Sequence, residues 1–151
     1  NNILDFPLKI IKQIIGELNL KDRESFALTC GEANLKEKAT ELILYRVNCI
    51  QCENSDEFIV YVTNRYDHET LIEGNYDSIM EWKGSRIITS IETVDLTLQD
   101  MKGFRQLREL CEGIHIQELV LNFTESGTAF SEDHVDEMCT YLQKRAKSGD
   151  L

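Results

Sequence analysis

The sequence holds one proline, one tryptophan, eight glycines that never cluster, and far fewer basic than acidic residues. Scarce proline and scattered glycine exclude a proline-rich linker and a glycine-rich phosphate loop. The 16 Lys and Arg stand against 27 Asp and Glu, a net charge of −11. That balance argues against a nucleic-acid grip, because binding phosphates needs a positive patch that displaces counterions. Trp82 alone makes no base-stacking platform. No apolar run approaches the roughly 18–20 residues that span a bilayer, and the N-terminus lacks the charged-then-apolar layout of a secretory signal. The five cysteines are odd in number and irregularly spaced, which fits reduced thiols. Together these absences predict a soluble chain of the cytoplasm or nucleus, bound to neither membrane nor nucleic acid.

What is present is unevenly spread. The 151 residues suit one domain, or a small domain with part of a second. Residues 1–44 carry 6 basic and 7 acidic side chains, a net of −1, whereas residues 45–151 carry 10 and 20, a net of −10. Two parts in different surroundings are expected, packed directly on each other because no Gly/Ser/Pro-rich linker separates them. Starting at Asn1 without methionine suggests a trimmed chain.

Pro7 suits a first helical position, where its fixed φ helps and its missing N–H costs nothing. Leu8, Ile11, Ile14, Ile15 and Leu18 then fall at helical spacing, with Ile10 widening the stripe, and predict a helix over about residues 7–18. Asn19 followed by Asp22 is a capping arrangement and predicts a second helix carrying Phe26, Ala27, Leu28 and Cys30. Asn34 with Glu37 repeats the device and predicts a third helix with Leu35, Ala39, Leu42 and Ile43. About 40 residues in three short helices bury too little surface to enclose all these aliphatics. Cover must come from the rest of the chain or from a partner.

The ordered set Phe6-Pro7, Ile10-Ile11, Ile14-Ile15, Leu18, Lys21-Asp22, Phe26 and Leu28-Thr29-Cys30 resembles the F-box. That pattern opens on Leu-Pro, runs through aliphatics on its first helix and ends near a Val-Cys pair. The likeness covers roughly residues 4–44 of the 151. Phe6 stands where the family has Leu, and Ala33 lies near the place of its tryptophan; neither change removes the apolar face. The resemblance implies that residues 1–44 dock on the Skp adaptor of a cullin–RING ubiquitin ligase, leaving residues 45–151 to hold a target protein. Carried over residue by residue, Phe6 and Pro7 are the opening wedge. Leu8, Ile10, Ile11, Ile14 and Leu18 are the first-helix anchors, and Phe26, Leu28 and Cys30 follow on the second helix. Some F-box-like proteins are instead adaptor-bound structural subunits of kinetochore or trafficking assemblies, so the likeness carries that alternative too. Either way it implies a non-catalytic subunit with no cofactor.

Residues 45–151 show a faint repeat. Leu44-x-x-Val47-x-Cys49, Ile91-x-x-Val94-x-Leu96 and Ile116-x-x-Leu119-x-Leu121 share the apolar spacing i, i+3, i+5, with starts 47 and 25 residues apart. A leucine-rich repeat runs about 20–29 residues with this spacing at its strand, so the first gap approaches two units, and the interval from Asn64 to Gly84 holds an insertion or a helix. Helices are expected after each strand: over Ser55-Asp56-Glu57-Phe58 with Ile59 and Val62, over about residues 100–112, and from Ser131 to a stop at Gly149. The expected fold is mixed α/β, a three-helix F-box followed by a short leucine-rich-repeat-like solenoid; an ordinary small α/β sandwich would show the same strands. The last helix caps the solenoid or the chain is a fragment.

Enzyme chemistry has one motif, the CxxC of Cys49 and Cys52. A redox pair wants a helix N-terminus to depress one thiol, and these residues fall at the end of an expected strand. A zinc site wants four ligands, yet Cys111 and Cys139 are isolated on expected apolar helix faces and His68, His115 and His134 are unpaired. Glu125, Glu132, Asp133, Asp136 and Glu137 lack the alternating spacing of a calcium loop and read as a solvated helix start. The sequon Asn122-Phe123-Thr124 has no role in an intracellular chain. No metal ligand is predicted. The acidity of residues 45–151 predicts a basic surface on the target.

Overall fold

Cap chemistry sets the ends of the N-terminal helices. In the structure, a computed structural model describing residues 3–53, 56–64, 66, 68–124 and 130–149, a short 3-10 turn at Ile3–Asp5 leads into α1 (Leu8–Glu17). Pro7 is the cap itself, its carbonyl accepting from the N–H groups of Ile10 and Ile11. Asn19 caps α2 (Leu20–Ala27) as expected, its side-chain oxygen accepting from Asp22 N–H at 2.8 Å. The third helix differs from expectation. α3 spans Gly31–Lys38 and is capped by Cys30, whose Sγ accepts from Ala33 N–H at 3.4 Å. Asn34 therefore lies inside the helix, and Leu28 and Cys30 lie beyond the end of α2. Glu37 is drawn inward to two arginines and so is not available to close a capping box. Leu42 and Ile43 leave the helix altogether, Leu42 N–H donating to Ile87 O at 2.8 Å in the approach to the sheet.

The five described strands are β1 (Leu44–Gln51), β2 (Glu57–Thr63), β3 (Glu69–Asn75), β4 (Ser90–Leu98) and β5 (His115–Phe123), in the open order β3-β2-β1-β4-β5. The helices α4 (Tyr76–Gly84), α5 (Met101–Leu110) and α6 (Glu132–Ser148) complete a mixed α/β fold. β1, β4 and β5 are parallel, and the faint repeat is their register: Leu44, Ile91 and Ile116 align, as do Val47, Val94 and Leu119, then Cys49, Leu96 and Leu121. A three-residue step would place two side chains on opposite faces of a regular strand. Yet Leu44 and Val47 line one apolar cavity of about 60 Å³ beneath α4 and α5, as do Ile91 and Val94. The two strands thus break alternation at matching positions.

The 47-residue gap is not two repeats. β1 pairs directly with β4, and between them lie the antiparallel strands β2 and β3, followed by α4. The helix expected over residues 55–62 is β2, with Ser55 outside the described residues. Phe58, Val60 and Val62 are buried in alternation, and the β-branched and aromatic content of this stretch suits a pleated surface better than a helix. The interval after Asn64 holds β3 and α4, with Arg65 and Asp67 outside the described residues. α5 and α6 match expectation. Asp100 caps the first, and Ser131 the second through a reciprocal box with His134, whose Nδ1 accepts from Ser131 N–H at 3.2 Å. α6 ends at Gly149 with φ +78°, a left-handed stop that favours glycine.

Leu98, Phe104, Leu107 and Ile116 are fully buried where sheet and helices meet. At the end of β1 the buried Gln51 ties this core to the next turn, donating to Asp100 at 2.9 Å and accepting from Gln99 N–H at 2.8 Å. Gly103 makes room for it, since a Cβ there would collide with the Gln51 side-chain amide.

Candidate docking surface on the N-terminal helices

The ten residues singled out by the motif fall into three groups. Ile11 is fully buried with Ile15 one turn on, so this pair anchors α1 to its own domain and presents nothing to a partner. Ile14, Leu18 and Phe26 are half-buried. Phe6, Pro7, Leu8, Ile10, Leu28 and Cys30 are exposed; Phe6 keeps 55%, Leu8 51%, Ile10 41% and Leu28 86% of their surface in contact with solvent. Ile10 precedes Ile11 by one residue, about 100° round the helix, so the same aliphatic run serves core and surface. Cys30 is partly committed already, because its sulfur caps α3. Leu35 on α3, exposed at 71%, joins the exposed set although the motif does not mark it. Its only sequence signal is an apolar residue in a helix too short to bury it.

A buried charge cluster fixes these helices against the rest of the chain. Arg23 on α2 is 1% exposed and Glu37 on α3 is 0% exposed. Arg23 Nε donates to Glu37 at 3.0 Å, and its terminal nitrogens donate to the carbonyls of Thr40 at 2.7 Å, Glu41 at 3.1 Å and Glu37 at 3.3 Å. Arg86, after α4, is hydrogen-bonded to the same Glu37 carboxylate, lies 3.6 Å from Glu24 and packs over the Trp82 ring. Burial pushes the Glu37 carboxyl up, but Lys38, Arg86 and Arg23 outweigh it and hold it below the usual carboxylate range. Burial likewise lowers Arg23 from its ordinary value, against the opposing pull of Glu37. Sequence periodicity missed this cluster because its members stand 14 and 49 residues apart.

The remaining chemistry-bearing residues are placed differently. Cys49 points into the core, where burial pushes its thiol well above the usual range, and burial raises Cys111 to about 11. Both stay protonated at neutral pH. Cys52 lies past the strand, its N–H donating to Glu57 O. Cys139 is exposed, not on an apolar face as expected, since α6 buries Met138 beside it. Glu137 forms a two-pronged pair with Arg105 at 3.1 and 3.2 Å, which lowers its carboxyl, while Glu125 lies outside the described residues. Among the described residues, no group of three or more His, Cys, Asp or Glu could hold a metal ion, and no helix is long and apolar enough to cross a membrane. Compared with protein-family models and with curated proteins, the chain matches none.

Proposed function

We propose that this chain is an F-box subunit: its N-terminal helices dock on the Skp adaptor of a cullin–RING ubiquitin ligase, and its leucine-rich-repeat-like body holds a target protein. The observation that carries the reading is the division of the motif residues. Ile11 and Ile15 hold α1 in place, while Phe6, Leu8, Ile10 and Leu28 stand in solvent. Large apolar side chains in water are costly to leave uncovered, and those that fill a partner's pockets dominate interfaces. The in-register parallel strands support the repeat-like body. The chain's contribution to ubiquitin transfer would be proximity, which raises the effective concentration of the target.

The test is calorimetric titration of the full chain with purified Skp adaptor, comparing the wild type with Leu8→Glu/Ile10→Glu. Both positions are exposed, so the variant keeps its fold by circular dichroism. Binding is expected to weaken at least about 100-fold, since two interface anchors together contribute on the order of 3 kcal/mol or more. Unchanged affinity in a folded variant sinks the docking reading. Reconstituted ubiquitin transfer then separates a ligase subunit from a structural one.

A further inference from the structure

Alternation in β2 splits its side chains sharply. Phe58, Val60 and Val62 are at most 5% exposed beneath the helices, whereas Ile59 and Tyr61 face the other way and are half-buried. The ladder aligns Ile50 of β1 with Ile59, and Tyr61 with Leu71 of β3. Leu71 is 47% exposed and lies between Glu69 and Glu73 along the outer strand, both exposed on the same face. The half of the sheet built by β1, β2 and β3 therefore carries an apolar quartet with carboxylates along one border, and none of these six side chains is buried.

We infer that this open sheet face receives a basic amphipathic helix of the target protein. The inference rests on the target-holding half of the reading above and is independent of adaptor docking. Neighbouring strands lie about 4.8 Å apart and alternate residues about 6.7 Å apart, so the quartet spans roughly the 10–12 Å width of one helix with its side chains. An apolar stripe on a helix is the usual cover for the apolar face of a sheet. Charge selects the kind of helix. Glu69 and Glu73 flank the patch, and residues 45–151 carry a net charge of −10, so Lys and Arg beside the stripe are complementary. A second copy of this chain, an anionic lipid surface or a nucleic acid meets like charge instead.

The experiment uses the full chain without adaptor and two synthetic helical peptides sharing the same Leu stripe, one flanked by Lys and one by Glu. The Leu/Lys peptide is expected to bind, to shift the backbone amide resonances of Ile50, Ile59, Tyr61 and Leu71, and to weaken as salt rises. Leu71→Asp, a change at an exposed edge position, is expected to reduce its affinity at least tenfold, while Val135→Asp on the exposed surface of α6 leaves it unchanged. Five outcomes overturn the inference: no binding, equal binding of the Leu/Glu peptide, equal loss in both variants, shifts centred away from these strands, or a dimer by light scattering that Leu71→Asp dissolves. Leu71→Asp should bind Skp adaptor like the wild type, so failure here and failure of docking are told apart.

Discussion

The helix-covered face of the sheet and the seat of the N-terminal helices are held by different physics. Under α4 and α5 the contacts are mainly apolar, with Phe104, Leu107, Leu98 and Ile116 excluded from water. At the seat of α2 and α3 the decisive contact is one carboxylate, Glu37, whose Oε1 is shared by Arg23 and Arg86. Apolar packing is non-directional, and its loss scales with the volume removed. A buried ion cluster is directional and conditional: it costs desolvation to form, and losing one member strands the others. The first kind of contact contributes through volume. The second contributes through charge and ties the N-terminal helices to Arg86, after α4.

Two substitutions of similar expected size separate these modes. Glu37→Gln leaves two buried guanidinium groups facing a neutral amide and is expected to cost about 3–5 kcal/mol. Phe104→Ala removes a fully buried ring and its edge contact with Tyr141 at 5.6 Å, also about 3–5 kcal/mol. Acid distinguishes them. The Glu37 carboxyl is depressed in the fold, so its contribution is present above the ordinary Glu value of about 4.3 and lost as pH falls through the folded value. Urea unfolding at pH 7 and pH 3 should show the deficit of Glu37→Gln shrinking in acid while that of Phe104→Ala persists. A Glu37→Gln deficit equal at both pH values refutes the charge account.

The same division explains how much of the molecule could be read from its sequence. The three parallel strands were legible because register converts a local spacing into a row, so Leu44, Ile91 and Ile116 announced one another. β2 was not, since five of its seven residues are apolar or aromatic and fit a helix pattern in part. The Asn19, Ser131 and Gly149 signals held because a cap is decided within a few residues. Cys30 was missed as a cap because sulfur is a weak acceptor that replaces the usual oxygen. For the candidate docking surface, the motif marked a stretch of chain but not its faces. Which of Ile10 and Ile11 turns outward depends on where α2 and α3 lie.

Caps in the two regions offer a finer comparison. Asn19 accepts one backbone N–H at an exposed site, so Asn19→Ala should cost about 1 kcal/mol. Asp100 accepts both Gly103 N–H at 2.8 Å and the Gln51 amide at 2.9 Å, and its loss also strands a buried side chain. Asp100→Ala should approach about 2 kcal/mol, the upper end for caps. Equal costs by thermal unfolding would show that Gln51 finds another partner.

The smallest expected effect carries the most functional weight. Leu28→Ser and Leu35→Ser alter side chains exposed at 86% and 71%, and surface changes without partners usually stay within about 0.5 kcal/mol. Ile11→Ser, three residues into α1, places a hydroxyl where no water reaches and should cost about 2–5 kcal/mol. Stability at Leu28 and Leu35 is therefore expected to match the wild type by urea unfolding while adaptor affinity falls. A loss of more than about 1 kcal/mol at either leucine would mean that the side chain already has cover within this chain. An apolar residue covered at home is not free to dock, and that result would move the candidate docking surface off that leucine.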